Sequence, residues 1–404
     1  MISIAILGYG TVGSGVAEVI HTNHESINKR AGDEIRIKYV LDLRDFPGDP
    51  VEEVLVHDYE IIVNDPEVDI VVEVMGGTEP AYTFVKRALL AGKSVCTSNK
   101  ALVAKHGPEL MEIAKEQNIN FLFEASCGGG IPIIRALNSS LTADEIDEIT
   151  GILNGTTNYM LYRMSTEGAD FSAVLKEAQE MGYAEADPTA DVDGQDASRK
   201  IAILSSLAYG KFLNYEDIYT EGIRNITPED MEYARELGMS IKLLATSRKI
   251  GGSFYAITAP FLVGPNNPLW SVNGVFNGIY VHGNVLGDAM FYGSGAGKLP
   301  TASAVVADVV DEAKHLHRTI MTNWTSRPLT LMEPDEVEGR FFVRVKDTSL
   351  DEVDKAFGKV DAIVEPDALP EEFGFITCTM KQKEYKERIK ALEDRVIGMI
   401  RVKD

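Results

Sequence analysis

The sequence predicts an α/β protein whose N-terminal part forms a Rossmann-type, doubly wound parallel sheet. Short β-branched runs alternate with amphipathic stretches over about the first 125 residues, and strands that alternate with helices are joined by crossovers and run parallel. A glycine-rich turn, Gly8–Gly13, links the first of these strands to the first helix. The length of 404 residues, 45% of them hydrophobic and 25% charged, predicts two or three globular domains.

The first domain, a dinucleotide-binding domain, is expected over residues 1–130. Its strands are predicted at Ile2–Leu7, Ile35–Leu41, Val68–Val74, Ser94–Thr97 and Asn120–Glu124. Its helices are predicted at Gly13–Thr22, Pro80–Ala91 and Gly107–Gln117. The glycine-rich segment Ser126–Pro132 then predicts a hinge.

A second domain, of the α+β class, is expected over residues 131–295. Its predicted elements are helix Ile133–Ser140, strand Ile146–Leu153, helices Ser172–Met181 and Gly194–Tyr209, and an antiparallel sheet within Ser253–Asn284. A further helix is predicted at Thr301–Thr319. Residues 340–404 have the order strand, helix, strand, strand, helix, strand, which predicts a third, βαββαβ domain.

The charge balance argues against two classes of partner. A net charge of −23 repels nucleic acid and anionic membrane surfaces at long range, and no apolar run approaches the ~18 residues of a membrane span. Three cysteines, Cys96, Cys127 and Cys378, form no CxxC pair, so neither a disulfide framework nor a thiolate metal site is indicated. With no secretion signal at Met1–Leu7, we expect a soluble cytoplasmic protein.

The glycine-rich turn predicts a dinucleotide site. Gly8 permits the tight turn, Gly10 lets the backbone approach a pyrophosphate, and Gly13 lets the helix pack on the strand. Thr11 and Val12 open the helix, whose N-terminus attracts phosphate. After the second strand, Asp42 favours the ribose 2′-OH of NAD and Arg44 the 2′-phosphate of NADP, so the choice of cofactor stays open.

The segment Tyr183–Lys200 holds five carboxylates and ends in a lysine. A calcium loop is rejected, because counting from Gly194 places Lys200 where such a loop needs a bidentate glutamate. Asp187 and Asp193 are interpreted as solvated loop carboxylates. Asp196 and Lys200 share a helix face; the pair is either an ordinary surface pair or a lysine poised to donate a proton.

These motifs together resemble homoserine dehydrogenase. The matching segments follow the family's order over residues 1 to about 318: Gly8–Gly13, Cys96–Lys100, Gly151–Asn158, Gly182–Pro188 and Asp196–Lys200. The resemblance implies an NAD(P)-linked interconversion of aspartate 4-semialdehyde and homoserine, on the route to threonine, methionine and isoleucine.

The resemblance also implies roles for individual residues. Lys200 and Lys100 match the family's catalytic lysines, and Asp196 the carboxylate beside them. The substrate pocket is matched by Glu185, Asp191, Thr156, Gly155, Tyr183 and Gly182. The cofactor site is extended by Met75, Gly76, Thr97, Ser98, Lys100 and Gly295. Which lysine donates the proton stays open, and the segment around Gly295 implies that residues 296–320 complete the first domain.

A cation site and a regulatory module are implied as well. The loop holding Glu124, Cys127, Gly129 and Ile131 resembles the family's monovalent-cation site, where backbone carbonyls hold Na⁺, or K⁺. The order of elements in residues 340–404 resembles an ACT regulatory domain. Its usual Pro-Gly-Val-like turn is replaced by Lys346–Leu350, which puts threonine feedback in doubt. The aromatic residues of Ser253–Asn284 and the family resemblance predict a homodimer or homotetramer.

Two other functions are considered. An acylating semialdehyde dehydrogenase needs a nucleophilic cysteine, and Cys127 lies in a glycine-rich loop after a strand. No activating histidine stands near it in the sequence, and an inert buried thiol is the better interpretation. A dinucleotide sensor would account for the glycine-rich turn and the C-terminal domain, but not for Lys100, Glu185 and Lys200.

Overall fold

The computed structural model describes residues 1–321 and 324–403, without the side chain of Glu393; Asp404, the end of the predicted third domain, lies outside them. The chain divides into two compact units. The first comprises Met1–Glu145, Ala202–Tyr215 and Gly293–Leu329. The second comprises Ile146–Ile201, Glu216–Tyr292 and Thr330–Asp404.

The N-terminal part of the first unit is built on a parallel sheet, as predicted. Its strands are β1 Ile2–Leu7, β2 Ile35–Leu41, β3 Leu55–Val56, β4 Ile70–Glu73, β5 Ser94–Thr97 and β6 Phe121–Leu122. The helices are α1 Thr11–Thr22, α2 His24–Ala31, α3 Tyr59–Val63, α4 Ala81–Leu90, α5 Lys100–Glu116 and α6 Ile133–Arg135. The order β3-β2-β1-β4-β5-β6 reverses between β1 and β4, and ligands of such sheets bind outside the carboxyl ends of the strands at this point.

Two predicted elements of this unit are corrected. Helix α5 begins at Lys100 rather than at Gly107, because Asn99 caps it by accepting a hydrogen bond from the Leu102 N–H (3.1 Å). Pro108 therefore stands inside the helix, where the sequence pattern had indicated its start. The strand predicted over Asn120–Glu124 is restricted to Phe121–Leu122, and Glu124–Ser126 forms a 3₁₀ turn.

The middle of the chain contains more elements than predicted. In chain order they are β7 Ile146–Ile152, α7 Gly155–Glu167, α8 Phe171–Glu180, α9 Thr189–Val192, α10 Gln195–Tyr209, β8 Lys211–Phe212, β9 Tyr219–Thr220, α11 Pro228–Glu236, β10 Ser240–Ile250, β11 Ser253–Val263, β12 Phe276–Gly283 and β13 Gly287–Ser294. Helices α7 and α11 and strand β10 are among the elements that were not predicted from the sequence. Because β10 pairs with both β7 and β11, the strands inside Ser253–Asn284 are not simple neighbours in one hairpin.

The remaining elements follow residue 297. They are α12 Lys298–Lys314, β14 Thr325–Pro328, β15 Glu338–Lys346, α13 Leu350–Phe357, β16 Val360–Val364, β17 Glu372–Thr377, β18 Met380–Lys381, α14 Gln382–Arg388 and β19 Val396–Lys403. Helix α12, which begins three residues before the predicted Thr301, packs on α1 in the first unit. A Cβ on Gly15 would lie 2.9 Å from the carbonyl oxygen of Lys298, so this close packing requires glycine.

One large sheet organises the second unit. Its main order is β13-β12-β7-β10-β11-β19-β15-β17-β16, with β9 on β11 and β18 on β15. Strand β19 runs parallel to β11 through the pair Phe261–Arg401, so the C-terminal strands continue the sheet of the middle segment. The two segments also share a core, in which Met160, Met231 and Phe342 are buried together. Among the described residues, no helix is both long and apolar enough to cross a membrane.

Candidate active site

The glycine-rich turn has the geometry of a phosphate cradle. Gly8 adopts φ +98°, and a Cβ on Gly13 would lie 1.9 Å from the Gly8 carbonyl oxygen, so neither position accepts a side chain easily. A Cβ on Gly10 would meet nothing within 4 Å. The open space beside Gly10 lies at the start of α1, where the N–H groups of the first helical residues, Thr11 and Val12, lack partners within the helix, and it therefore fits a pyrophosphate.

A cavity of about 520 Å³ opens beside this turn. Six predicted cofactor residues line it: Gly8, Gly10, Asp42, Arg44, Met75 and Gly76. Other lining residues, among them His57, Tyr59 and Phe84, were not predicted from the sequence, and the rings of Tyr59 and Phe84 stack with centroids 4.1 Å apart. Apolar walls with a few convergent polar groups are the usual composition of a small-molecule site.

Asp42 and Arg44 form an ion pair at the end of β2. Asp42 Oδ1 accepts hydrogen bonds from the N–H and Nε of Arg44, each 3.0 Å long. Its Oδ2 accepts from the Tyr9 N–H at 2.8 Å and from Arg44 Nη2 at 3.0 Å. The Arg44 guanidinium holds the pKa of Asp42 far below its usual range, so the carboxylate is ionised.

A buried carboxylate that the sequence analysis missed joins β4 to β5. Glu73 accepts hydrogen bonds from the Met75 N–H (2.8 Å) and from the Thr97 hydroxyl, while Thr97 Oγ1 accepts from the Asn99 N–H. Burial raises the pKa of Glu73 to about 7. The sequence feature that could have predicted this residue is an acidic side chain at the end of an otherwise apolar strand, Ile70–Glu73.

Three predicted residues lie at the end of β5 and just beyond it. Thr97 is buried at the end of the strand, and the half-buried Ser98 donates its N–H to the Glu73 carbonyl at 3.3 Å. Lys100 is the half-buried first residue of α5. All three stand at the carboxyl edge of the sheet, where a doubly wound fold binds its ligand.

Lys200 lies in a buried polar cluster of the second unit. Its Nζ donates to Asp196 Oδ2 and to the Leu153 carbonyl oxygen, both at 2.7 Å. Asn154 Nδ2 donates to the same Asp196 oxygen at 2.9 Å and to Asp191 Oδ1 at 2.7 Å. The side chains of Lys200 and Asp196 are only 10% and 4% exposed, which decides between the two interpretations: this is not a surface pair.

Asn154 is the member of this cluster that the sequence analysis did not select. Its Oδ1 accepts the Thr157 N–H (2.9 Å) and so caps α7, while its Nδ2 connects the two aspartates. An asparagine before Gly155-Thr156-Thr157 is a recognisable N-cap signal, and it could have predicted both the missed helix and this residue.

The predicted substrate residues occupy the segments flanking the cluster. The Thr156 hydroxyl donates to the Tyr183 carbonyl oxygen at 2.6 Å, next to Gly182, whose φ is +75°. Glu185 is exposed. A Cβ on Gly155 would lie 2.7 Å from the Val275 carbonyl oxygen, so that position too requires glycine.

The two carboxylates expected to be solvated have local partners. Asp187 is exposed and accepts the Thr189 N–H at 3.1 Å, at the first residue of the short helix α9. Asp193 is paired with Arg224 instead of being freely solvated. Both therefore stabilise the loop that presents the remaining acids.

The loop predicted as a cation site is tightly constrained within the first unit. The Glu124 carboxylate accepts the N–H groups of Ile134 (2.9 Å) and Arg135 (2.7 Å) at the start of α6. Gly129 has φ +56°, and a Cβ there would lie 2.5 Å from the carbonyl carbon of Gly295. Ile131 donates its N–H to the Gly128 carbonyl at 2.9 Å. The loop that holds Glu124 and Gly129 is thus packed, and Gly129 lies directly against Gly295 from a later segment of the chain.

Cys127, in the same loop, is completely buried. A catalytic thiol must reach its substrate and be activated as a thiolate, and burial favours neither. Among the described residues, no group of three or more His, Cys, Asp and Glu side chains could hold a metal ion. The structure thus favours the inert-thiol interpretation over the acylating one.

The doubly wound sheet, its phosphate cradle and the buried lysine cluster define an NAD(P)-dependent oxidoreductase. A family model described as "Homoserine dehydrogenase, NAD binding domain" matches residues 8–124, and one described as "Homoserine dehydrogenase" matches residues 132–310. A curated homoserine dehydrogenase of Synechocystis sp. is 48% identical over 316 residues, 77% of this chain and 73% of the relative. The chain therefore belongs to the homoserine dehydrogenase family.

Solved structures agree with this assignment. The homoserine dehydrogenase of Thiobacillus denitrificans is 37% identical with a TM-score of 0.91, covering 100% of this chain and 98% of its own. A hyperthermophilic archaeal homoserine dehydrogenase in complex with NADPH is 31% identical with a TM-score of 0.66, covering 77% of this chain and 97% of its own. The first similarity includes the C-terminal segment, which the two family models leave unmatched.

Proposed function

We propose that the chain catalyses the reversible NAD(P)-dependent reduction of L-aspartate 4-semialdehyde to L-homoserine, in threonine, methionine and isoleucine biosynthesis. The observation that supports this most strongly is the buried cluster in which Lys200 is bound by Asp196 and the Leu153 carbonyl. A dehydrogenase acting on an aldehyde needs a proton donor at the oxygen as well as a hydride source. The cluster supplies the donor.

Lys200 is the proton donor in this proposal. Its ammonium protonates the alkoxide oxygen as the aldehyde is reduced, and its neutral amine takes the proton back when homoserine is oxidised. Asp196 and the Leu153 carbonyl hold Nζ in one place, so little reorganisation is needed during reaction. Asn154 acts as a positioning residue, because it fixes Asp196 and Asp191 together.

The first unit holds the cofactor, whose nicotinamide supplies the hydride in one direction and accepts it in the other when bound. Gly8, Gly10, Thr11, Val12 and Gly13 would cradle the pyrophosphate. Met75, Gly76, Thr97 and Ser98 would lie beside the ring at the carboxyl ends of β4 and β5. Lys100, at the start of α5, adds positive charge at this edge. Gly295, which packs closely on Gly129, is the remaining residue assigned to the cofactor.

The pairing of Asp42 with Arg44 favours NADP over NAD. Asp42 already accepts four hydrogen bonds, which fill the acceptor positions of a carboxylate, so it is poorly placed to accept a ribose 2′-OH. The Arg44 side chain is 62% exposed and lines the cavity, where its guanidinium can meet a 2′-phosphate.

The acidic residues would recognise the amino-acid part of the substrate. Carboxylates pair with an α-ammonium group, and Glu185 and Asp191 are the acids assigned to it. Thr156 and Tyr183 would line the pocket, and Gly155 and Gly182 shape its backbone. Asp191 is connected to Asp196 through Asn154, which links substrate recognition to the proton donor.

The loop of Glu124, Cys127, Gly129 and Ile131 is proposed to bind Na⁺ or K⁺ through backbone carbonyls. Such hard oxygen ligands suit cations without d-electron preferences, and the loop is held in one conformation by the hydrogen bonds and the close approach of Gly129 to Gly295. The expected consequence is that activity depends on the alkali cation when Tris chloride replaces sodium salts at equal ionic strength.

We also propose how the chain is organised and assembled. Residues 1–130 with 296–320 would form the dinucleotide-binding domain, 131–295 the substrate and dimerisation domain, and 340–404 an ACT-like domain. The order β19-β15-β17-β16, antiparallel throughout, is the order of a βαββαβ module and supports the last assignment. A cytoplasmic homodimer or homotetramer is the expected state.

The test compares L-homoserine with 4-hydroxybutanoate, which lacks only the α-amino group, in NADP⁺ reduction. Homoserine turnover is expected, with 4-hydroxybutanoate a poor substrate because the acidic residues then lack their partner. In Glu185→Gln, the kcat/KM for homoserine should fall while that for 4-hydroxybutanoate stays the same. A protein that binds NADPH but turns over neither homoserine nor aspartate 4-semialdehyde would refute the proposal and favour the sensor.

The acylating alternative is tested separately with Cys127→Ala. Retained reduction of aspartate 4-semialdehyde in this variant is expected, because the buried thiol has no chemical role in the proposal. Loss of turnover in a variant that still binds NADPH and keeps the parent's melting temperature would support the mechanism with a nucleophilic cysteine.

A further inference from the structure

A second cavity lies wholly within the second unit and is unusually rich in cations for an acidic chain. It has a volume of about 300 Å³. Four basic residues line it: Arg248, Arg340, Arg401 and Lys403. Its apolar walls come from Tyr255, Phe261, Phe341 and Val337. One lining residue is acidic, the exposed Glu338. None of these residues belongs to the proposed catalytic or cofactor machinery.

Arg401 lines this cavity from strand β19. It is only 7% exposed, and its two terminal nitrogens donate to Glu221 (2.9 Å) and Gln382 (3.2 Å). Its buried Nε has no acceptor among the described residues. A buried guanidinium N–H without an acceptor is costly, so an acceptor from solution would be favoured here.

Arg248, on β10, forms no ion pair with a carboxylate among the residues that the structure describes. Its guanidinium lies 5.7 Å from the centre of the Tyr255 ring, and its Nε is also buried without an acceptor among the described residues. Glu148, on the neighbouring strand β7, is the residue paired with Arg248 in the sheet. Its carboxylate is bound by Lys403 at 2.6 Å. Arg248 is therefore the cation of this cavity whose charge is least neutralised.

The other two lining cations already have partners. Lys403 binds Glu148, as above, and Arg340 binds Asp361 at 3.3 Å. Within the described part of the chain, the cavity is thus lined by two cations in ion pairs, by Arg401 with its Nε unsatisfied, and by Arg248, which packs against an aromatic ring without an ion pair of its own. The unsatisfied Nε groups of Arg248 and Arg401 need negatively charged hydrogen-bond acceptors, and aromatic and aliphatic side chains line the cavity beside them.

We propose that this cavity binds a small organic oxyanion, whose charged group accepts hydrogen bonds from Arg248 and Arg401 and whose apolar part packs against Tyr255, Phe261 and Phe341. A planar guanidinium matches a carboxylate or a phosphate equally well, so the shared chemistry is that of an oxyanion on an apolar group. The site lies where β11 meets β19, at the junction of the middle and C-terminal segments of one sheet.

The test is a calorimetric titration of the full chain saturated with NADP⁺, so that the cofactor cradle is filled. Benzoate and phenyl phosphate are the probes, with sulfate as the inorganic comparison and chloride at constant ionic strength as the baseline. Saturable binding of at least one aromatic probe, tighter than that of sulfate, is expected. Benzoate alone would identify a carboxylate ligand, and phenyl phosphate alone a phosphate ligand; either result supports the site.

Arg248→Met should weaken the binding of that probe roughly tenfold or more, because the unpartnered guanidinium is lost. Arg30→Met, at an exposed arginine of the first unit, is the matched control and should bind as the parent does. Homoserine turnover should be unchanged in both, which verifies folding. Should the methionine variant misfold, Arg248→Lys keeps the charge and should still weaken binding, since lysine lacks the planar fork.

Three outcomes would overturn the proposal. These are no saturable binding of either probe above chloride, binding of sulfate as tight as that of the aromatic probes, and unchanged affinity in a folded Arg248 variant. The first would mean that the cavity holds only water. The second would remove the organic part of the ligand, and the third would place the bound probe elsewhere.

Discussion

Two pairs of opposite charges, Asp196–Lys200 on α10 and Lys176–Glu180 on α8, have the same four-residue spacing but different surroundings. The first has its nitrogen and oxygen 2.7 Å apart, with side chains 10% and 4% exposed. The second is 3.9 Å apart, with side chains 79% and 68% exposed. Asn154 and the Leu153 carbonyl complete the first pair, whereas the second stands on the solvent face of its helix.

The difference teaches that helix spacing alone does not identify a functional pair. An exposed pair gains little, because water screens it and two long side chains must be ordered. A buried pair needs its partners to offset the loss of hydration, and those same partners fix the proton donor's position. The loop ending at Leu153 and the cap at Asn154 therefore make the first pair chemically useful.

The largest expected effect concerns catalysis. Lys200→Ala should lower kcat for homoserine oxidation ~10²–10⁴-fold, the range for a positioned acid–base group, with little change in NADPH affinity. Lys176→Ala is the control and should keep the parent rate. Steady-state kinetics and NADPH fluorescence titration measure both; a similar rate for the two variants would remove the distinction.

The next effect concerns stability. Asp196→Ala leaves the buried Lys200 ammonium without its carboxylate and should lower the free energy of unfolding by ~3–5 kcal/mol. Glu180→Ala should cost about 0.5 kcal/mol or less. Urea unfolding measures both. The double variant Asp196→Leu/Lys200→Met should regain much of the lost free energy of unfolding, because neither charge of the pair remains buried. Equal losses of unfolding free energy in Asp196→Ala and Glu180→Ala would contradict the comparison.

Glu73 extends the comparison to a buried carboxylate bonded to neutral donors. Its pKa of about 7 in the folded chain exceeds the ordinary 4.5, so the folded state holds the proton more tightly. This stabilisation is complete below about pH 4.5 and is lost as the pH rises through about 7, by ~3 kcal/mol in total. Unfolding free energies of the parent should therefore fall relative to Glu73→Gln between pH 5 and 8, and parallel pH profiles would refute the prediction.

The smallest effect concerns the half-exposed pair Asp42–Arg44. Arg44→Ala should raise the KM for NADPH roughly tenfold, through loss of one charge-assisted contact, and leave the KM for NADH nearly unchanged. Arg36→Ala, at an exposed arginine on β2, the strand that precedes the pair, is the control. Equal effects on the two cofactors would indicate that Arg44 only supports the loop.

The fold of the N-terminal part was predictable because local signals agreed with one another. Strand periodicity, the glycine spacing at Gly8–Gly13 and the alternation with helices all indicate a doubly wound sheet, and the structure confirms it. The error at α5 came from a local signal that was overlooked. Asn99 caps the helix by accepting the Leu102 N–H, so α5 begins at Lys100 and Pro108 stands inside it.

The candidate site was predictable in its residues but not in their environment. The motif resemblance selected Lys200, Asp196 and Asp191, and the structure places these three around Asn154. Glu73 and Asn154 were missed, since each is an ordinary strand end or helix cap until its neighbours are known. The same holds for Arg248, which no motif distinguishes.

The sequence by itself determined the fold class of the first unit, the phosphate cradle and the membership of the family, because these depend on short segments whose chemistry is local. Only the tertiary structure decided which charged pair is buried, that β11 pairs with β19, and where the unsatisfied arginines lie. Burial and strand pairing depend on residues far apart in the chain, as with Phe261 and Arg401. The sequence states which side chains carry a charge. The exposure to solvent and the partners that determine the electrostatic energy of each charge depend on the tertiary structure.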